Sequence, residues 1–175
     1  MQHNPPLSES LEDYLETILR LETANKVARQ KDIAESLDVQ RGSVTGALKA
    51  LAEKGLVNYE PYSYITLTKK GKKIAREIDR RHTVIKDFLS RVLRIDHEKA
   101  DTTACHMEHI MDTETVDSLV KFIEFVDNCP RAGADWIDAY VEYCSAGNVD
   151  RNICKDCLDN CVANFSGTIS ASNSA

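Results

Sequence analysis

Apolar residues recur every three to four positions from near the start of the chain. Leu11, Leu15, Ile18, Leu19 and Leu21 predict an amphipathic helix through about residue 23, with Ser8 or Ser10 as its cap and Glu9, Glu12 and Asp13 in its early turns. After the loop ANKVAR, the segment QKDIAESL turns Ile33, Ala34 and Leu37 inward. Asp38 and Val39 then make a tight turn into a third helix, QRGSVTGALKALAEKG, closed by Gly55. Two short helices joined so briefly predict a helix-turn-helix. The period next switches to two: LVNYEPYSYITLT alternates apolar and polar residues around Pro-Tyr-Ser, which predicts a two-stranded hairpin, a wing. Thr68 is placed to cap a long basic helix over 69–93. Two shorter helices follow, roughly Glu98 to Met111 and Thr113 to Asp127, the second capped by Asp112 or Thr113. Its stripe of Val116, Leu119, Val120, Ile123 and Phe125 calls for burial in a core or against a second copy of the chain.

Beyond Cys129 and Pro130 the composition changes. Trp136, Tyr140 and Tyr143 lie between Gly133 and Gly147, four cysteines follow from Cys144, and the small, polar run ANFSGTISASNSA at the end is expected to be disordered. The expected class is mainly α with a small β-wing. A winged helix-turn-helix DNA-binding domain over 1–75 precedes a helical dimerisation and metal-binding domain over 76–140 and a Cys-rich tail over 141–175.

At 175 residues the chain has room for two small domains. No apolar run is long enough to span a bilayer, so no membrane partner is expected, and MQHNPPLSES has neither the basic n-region nor the apolar core of a signal peptide. A cytoplasmic location follows, where six cysteines point to metal ligands or buried thiols before disulfides. The net charge of −6 is unevenly spread. Residues 1–68 carry 7 Lys/Arg against 10 Asp/Glu, residues 69–94 carry 10 against 3, and residues 95–175 carry 5 against 15. A middle segment of +7 and a last segment of −10 fit a DNA-facing basic region with an acidic remainder.

The densest chemistry lies in CHMEH. On a helix, Cys105, Glu108 and His109 fall at i, i+3 and i+4, so a thiolate, a carboxylate and an imidazole emerge side by side, three donors suited to a first-row divalent metal. Downstream of a DNA-reading module, such a site suggests a repressor that senses metal. At the start of the recognition helix, Gln40, Arg41, Ser43 and Thr45 enter the major groove, Arg41 suiting a guanine edge and Gln40 an adenine. Lys49 and the wing-exit lysines Lys69, Lys70, Lys72 and Lys73 suit phosphate contacts. In the tail, Cys144, Cys154, Cys157 and Cys161 form C-x9-C-x2-C-x3-C, a pattern open to zinc, to an iron–sulfur cluster or to free thiols.

The run SLEDYLETILRL, the helix-turn-helix DIAESLDVQRGSVTGALKALAEKGLV, the wing exit ITLTKKGKKIA, RRH at 80–82 and CHMEH together resemble the DtxR/MntR family of iron- and manganese-dependent repressors. The resemblance covers residues 7 to about 127. It implies a homodimeric cytoplasmic repressor whose metal-bound form binds a palindromic operator and shuts off metal-uptake genes. By position it implies that Asp13 and Glu16 match the two helix-one carboxylate ligands of manganese-type members, His82 the long-helix histidine, and Glu108 and His109 the shared Glu-His pair. Cys105 falls where iron-type members have cysteine and manganese-type members glutamate, so the chain is a hybrid. Lys86 and Asp101 stand where the iron-type ancillary site has a glutamate and a histidine. The SH3-like third domain of longer members has no room here, and the cysteine-rich tail has no family counterpart.

A cation shared by helix one and the later donors would fix the angle between domains, and so the separation of two recognition helices that must match half-sites about 34 Å apart. A 100-fold gain in operator affinity corresponds to about 2.7 kcal/mol of coupling, within the usual allosteric range. Thiolate and imidazole favour softer ions while carboxylates suit manganese and iron, which puts Fe(II) first and Mn(II) second. Two other classes stay open: a metalloenzyme using Glu108 as general base beside an open metal position, and a winged-helix protein in which metal only holds the fold.

Overall fold

The computed structural model describes residues 7–128 and 134–147, with the single positions 155 and 159. Its elements run α1 (Glu9–Asn25), α2 (Gln30–Ser36), α3 (Arg41–Glu53), β1 (Val57–Asn58), β2 (Thr66–Leu67), α4 (Lys69–Asp87), α5 (His97–Met107), α6 (Thr113–Asn128) and α7 (Ala134–Ala146). The chain forms two compact units. The first takes the chain up to Thr83 and adds Cys105–Met111; the second takes Val84–Ala104 and the chain from Asp112.

In the first unit, the apolar face of α1 (Leu15, Ile18 and Leu19) meets Ile33 of α2, Val44, Leu48 and Leu51 of α3, and Ile65 and Leu67 of the wing. Burying a side chain such as Leu or Ile contributes about 1.5–3 kcal/mol, so this cluster holds the three-helix core together. Both helices of the helix-turn-helix stop in the same way. After α2, Asp38 takes a left-handed φ of 51° and the Val39 N–H reaches the Ala34 carbonyl at 3.0 Å. After α3, Gly55 (φ 69°) donates to Ala52 O at 2.9 Å and the Leu56 N–H to Leu51 O at 2.9 Å. This paired closure satisfies the last carbonyls and seats Leu56 in the core.

The wing is shorter than the alternation predicts. Only Val57↔Leu67 and Asn58↔Thr66 pair as strands. A turn at Glu60–Ser63, with the Ser63 N–H on Glu60 O at 3.1 Å, takes up the tip. Ile65 then exchanges both backbone hydrogen bonds with Ala28, at 3.2 and 2.9 Å, instead of with its hairpin partner. The wing is thereby tied to the residues that open α2.

Thr68 caps α4 as expected: its Oγ1 accepts the Gly71 N–H at 3.1 Å and donates to Gly55 O at 2.8 Å. Gly71 packs against the backbone at Leu56, where a Cβ would stand 1.9 Å from the Leu56 carbonyl oxygen. Regular α geometry ends at Asp87 and continues as a π-helical turn, Phe88–Val92, where a single helix to residue 93 was expected.

Within the second unit, Leu89, Val92, Ala100, Ala104, Val116, Ile123 and Val126 are buried. The Phe88 and Phe122 rings meet edge to face at 6.1 Å, and Arg91 binds both Asp87 and Asp127. Asp96 Oδ1 accepts the Glu98 and Lys99 N–H groups at the start of α5, and Asp112 Oδ1 that of Thr115 at the start of α6. The predicted α6 stripe divides: Val116 and Ile123 are buried while Phe125 is exposed.

Candidate metal centre and DNA-reading face

Three segments of the first unit converge on one site. From α1 come Glu12, Asp13 and Glu16, spaced so that all three lie on neighbouring faces. From α4 come Arg81 and His82. Cys105 stands on the last turn of α5, and Glu108 and His109 follow it. The helix expected to reach Met111 ends at Met107, whose carbonyl accepts both the Ile110 N–H (3.1 Å) and the Met111 N–H (3.0 Å). Glu108 and His109 therefore sit in that closing turn, and the i, i+3, i+4 convergence survives because the turn continues the same winding.

The six residues singled out in the sequence gather into two overlapping groups. One donor atom each from Asp13, Cys105, Glu108 and His109 lie within 4.8 Å of one another, as do those from Glu16, His82 and Glu108. Glu108 belongs to both groups and is completely enclosed. Its Oε2 bonds His82 Nδ1 at 2.6 Å. Its Oε1 is buried with no hydrogen-bond partner among the described residues, and His109 Nε2 stands 3.6 Å away. An enclosed carboxylate oxygen left without a donor costs about 1–3 kcal/mol or more, which a cation at that point would offset. Arg20 binds Glu16 at 2.8 Å, His109 Nε2 meets Asp13 Oδ1 at 3.0 Å, and His109 Nδ1 meets Glu12 Oε2 at 2.8 Å.

The electrostatics agree with the crowding. Burial, then the neighbouring charges of Glu108 and Glu12 working against His109, hold the Asp13 carboxyl above its usual range. Burial and the Glu108 charge do the same to Glu16. The Cys105 thiol is pushed up by desolvation and by Glu108, Asp13 and Glu16 together. For His109, burial opposes the cation, but Glu12, Glu108 and Asp13 jointly outweigh it and raise its pKa. Mutually repelling acids around an imidazole are what a divalent ion would relieve.

Gln40, at the N-cap of α3, and Arg41, Ser43 and Lys49 on the helix are exposed. Thr45 differs: its hydroxyl donates to Arg41 O at 3.0 Å and accepts from Gln30 Nε2 at 2.6 Å, so its methyl is the freer group. Gln30 also donates to Arg41 O at 2.9 Å, and Arg29 stacks over the Tyr64 ring at 5.5 Å. These two residues escaped the sequence pattern because nothing in QKDIAESL marks Gln30 as a prop for α3. Of the wing-exit lysines, Lys72 is engaged by Glu22 at 3.1 Å. Lys86 and Asp101 pair with each other as a salt bridge. Cys144 is exposed and outside any disulfide; Cys154, Cys157 and Cys161 lie outside the described residues. Among the described residues no helix is long and apolar enough to cross a membrane.

A winged helix-turn-helix whose first helix lends carboxylates to a cluster built around the enclosed Glu108, with His82, His109 and an exposed Cys105 beside it, defines a metal-dependent transcriptional regulator. Two family descriptions match adjacent stretches: iron dependent repressor, N-terminal DNA binding domain, over residues 6–65, and iron dependent repressor, metal binding and dimerisation domain, over residues 68–137. An uncharacterised HTH-type transcriptional regulator of Methanocaldococcus jannaschii is 40% identical over 119 residues, covering 67% of this chain and 95% of that protein. The HTH-type transcriptional regulator MntR of Bacillus subtilis is 34% identical over 118 residues, covering 67% and 82%. Among solved structures, IdeR of T. acidophilum aligns with a TM-score of 0.60 at 29% identity over 74% of this chain, which spans 60% of that longer one. The manganese regulator SloR aligns with a TM-score of 0.59 at 30% identity, covering 69% and 56%. The chain belongs to the iron-dependent repressor family of metal-dependent transcriptional regulators.

Proposed function

We propose that this chain is a homodimeric, cytoplasmic repressor that binds a palindromic operator when loaded with Fe(II), with Asp13, Glu16, His82, Cys105, Glu108 and His109 as its metal ligands. The observation that carries this is Glu108: enclosed, shared by both donor groups, with one oxygen lacking a partner among the described residues. A bound divalent ion supplies the positive charge that lets Asp13, Glu16 and Glu108 stand ionised side by side. The residues do the rest. Asp13 and Glu16 draw α1 toward His82 on α4 and toward the turn after α5, which fixes the first helix of the DNA-reading core. Gln30 props the start of α3, leaving Gln40, Arg41 and Ser43 to face base edges and Lys49 a phosphate.

Cys105 favours iron over manganese, since a thiolate is the softest donor in the set. Mn(II) is the second reading, supported by the solved manganese regulator at 30% identity. The regulated genes are proposed to be those of metal uptake. Anaerobic operator binding, titrated separately with Fe(II) and Mn(II) and with metal content measured on the same sample, tests the proposal. Wild-type protein gains affinity with metal, whereas Glu16→Ala and Cys105→Ala lose that gain and keep the helical circular dichroism. Equal operator binding by the stripped and loaded protein defeats it.

A further inference from the structure

His109 is held at both ring nitrogens, and only one side belongs to the donor cluster. Nε2 faces Asp13 Oδ1 at 3.0 Å and Glu108 Oε1 at 3.6 Å. Nδ1 faces Glu12 Oε2 at 2.8 Å. Glu12 and Asp13 are consecutive on α1, and consecutive helical positions diverge by about 100°, so their carboxylates approach the ring from different directions. Glu12 is itself backed by Arg81: Nη2 lies 3.9 Å from Glu12 Oε2, while Nη1 donates to the Met111 carbonyl at 3.3 Å. The same guanidinium thus reaches both the carboxylate and the turn that carries Glu108 and His109.

We infer that Glu12, backed by Arg81, is a positioning residue that does not ligate metal but holds His109 by Nδ1, so that Nε2 is presented to the ion. The inference rests on the metal-site assignment above. A neutral imidazole offers one lone pair, and a carboxylate accepting the Nδ1–H fixes both the tautomer and the ring plane. Glu12 also leaves the cluster's own carboxylates, Asp13, Glu16 and Glu108, free to act as ligands. Arg81 offsets the extra negative charge that Glu12 brings to an already acidic site.

The test uses the full chain, stripped of metal and titrated anaerobically with Co(II), with affinity read by competition against a fluorescent chelator and coordination by the visible spectrum. Loss of this kind of supporting hydrogen bond lowers metal affinity by about 10- to 100-fold. Glu12→Ala should show that loss while keeping the position and intensity of the Co(II) ligand-field bands, because the ligand set is unchanged. Glu12→Gln, which retains an acceptor for Nδ1–H, should recover most of the affinity, and Arg81→Gln should fall between the two. Unchanged affinity in Glu12→Ala overturns the inference, as does a spectrum reporting one ligand fewer, which would make Glu12 a ligand. Wild-type protein that takes up no Co(II) defeats the site assignment and the inference together.

Discussion

Replacing Glu108 with glutamine should stabilise the metal-free protein and abolish its response to metal. The donor atoms of Glu108 lie within 4.8 Å of those of Asp13 and of Glu16. Counting the Asp13 pair alone, because Arg20 already counters Glu16 at 2.8 Å, two full carboxylate charges at that separation repel by about 3.5 kcal/mol with an effective dielectric constant of about 20. Against this stands the charge-assisted bond to His82 at 2.6 Å, whose loss costs about 1.5–3 kcal/mol. The glutamine amide can turn its NH2 toward the site of the unpartnered Oε1 and donate to the neighbouring carboxylates, so no new unpaired group is created. The net gain in chelator is then about 0.5–2 kcal/mol, or about 1–8 °C in melting temperature for a chain of this size. Scanning fluorimetry with and without chelator, then with Mn(II) or Fe(II), reads both effects. A Glu108→Gln protein that melts below wild type in chelator, or that still gains stability from metal, would refute the electrostatic account of the site.

The same structure predicts two further outcomes. The chelated protein should lose stability as pH rises. Asp13 and Glu16 have folded pKa values above 3.8 and 4.5, so the unfolded chain releases those protons first, and stability declines as pH climbs from those values to the folded ones. His109, raised above 6.5, adds stability that is complete below that value and is lost as pH rises through its folded pKa. Melting curves that rise over this range in chelator would contradict these three shifts; Asp112, lowered by its cap to Thr115, acts only below 3.8. Gly71→Ala places a Cβ 1.9 Å from the Leu56 carbonyl oxygen and should destabilise by about 1–3 kcal/mol, equally with and without metal, as read by the urea midpoint.

Much of the first unit was legible because its elements are locally consistent. The helical periods of α1 to α3, the turn at Asp38, the stop at Gly55 and the cap at Thr68 are each set by residues next to them in the chain. Cys105, Glu108 and His109 stand out by their helical spacing, whereas Asp13, Glu16 and His82 come only through the family resemblance, since Asp13 and Glu16 alone look like ordinary acids early in a helix. What the chain did not announce depends on tertiary neighbours. Glu12 is indistinguishable from a helix-dipole partner until His109, 97 positions later, meets it. Gly71 reads as one residue of a basic run until the Leu56 carbonyl is placed against it. The strands of the wing shrank because Ala28, a loop residue by composition, competes for Ile65. The π-helical turn at Phe88–Val92 has no local marker either, for its residues keep the apolar spacing of the helix before it.

Glu22, near the far end of α1, accepts the Leu67 N–H at 2.6 Å with one oxygen and binds Lys72 at 3.1 Å with the other. The helix that contributes Asp13 is thereby stapled, about 13 Å along its axis, to the returning strand of the wing and to the first turn of α4. Any shift of that rod at its acidic end is shared by the hairpin. A reporter dye at Ser63, on the wing tip and remote in sequence from every donor, would consequently register occupancy of the centre without touching it.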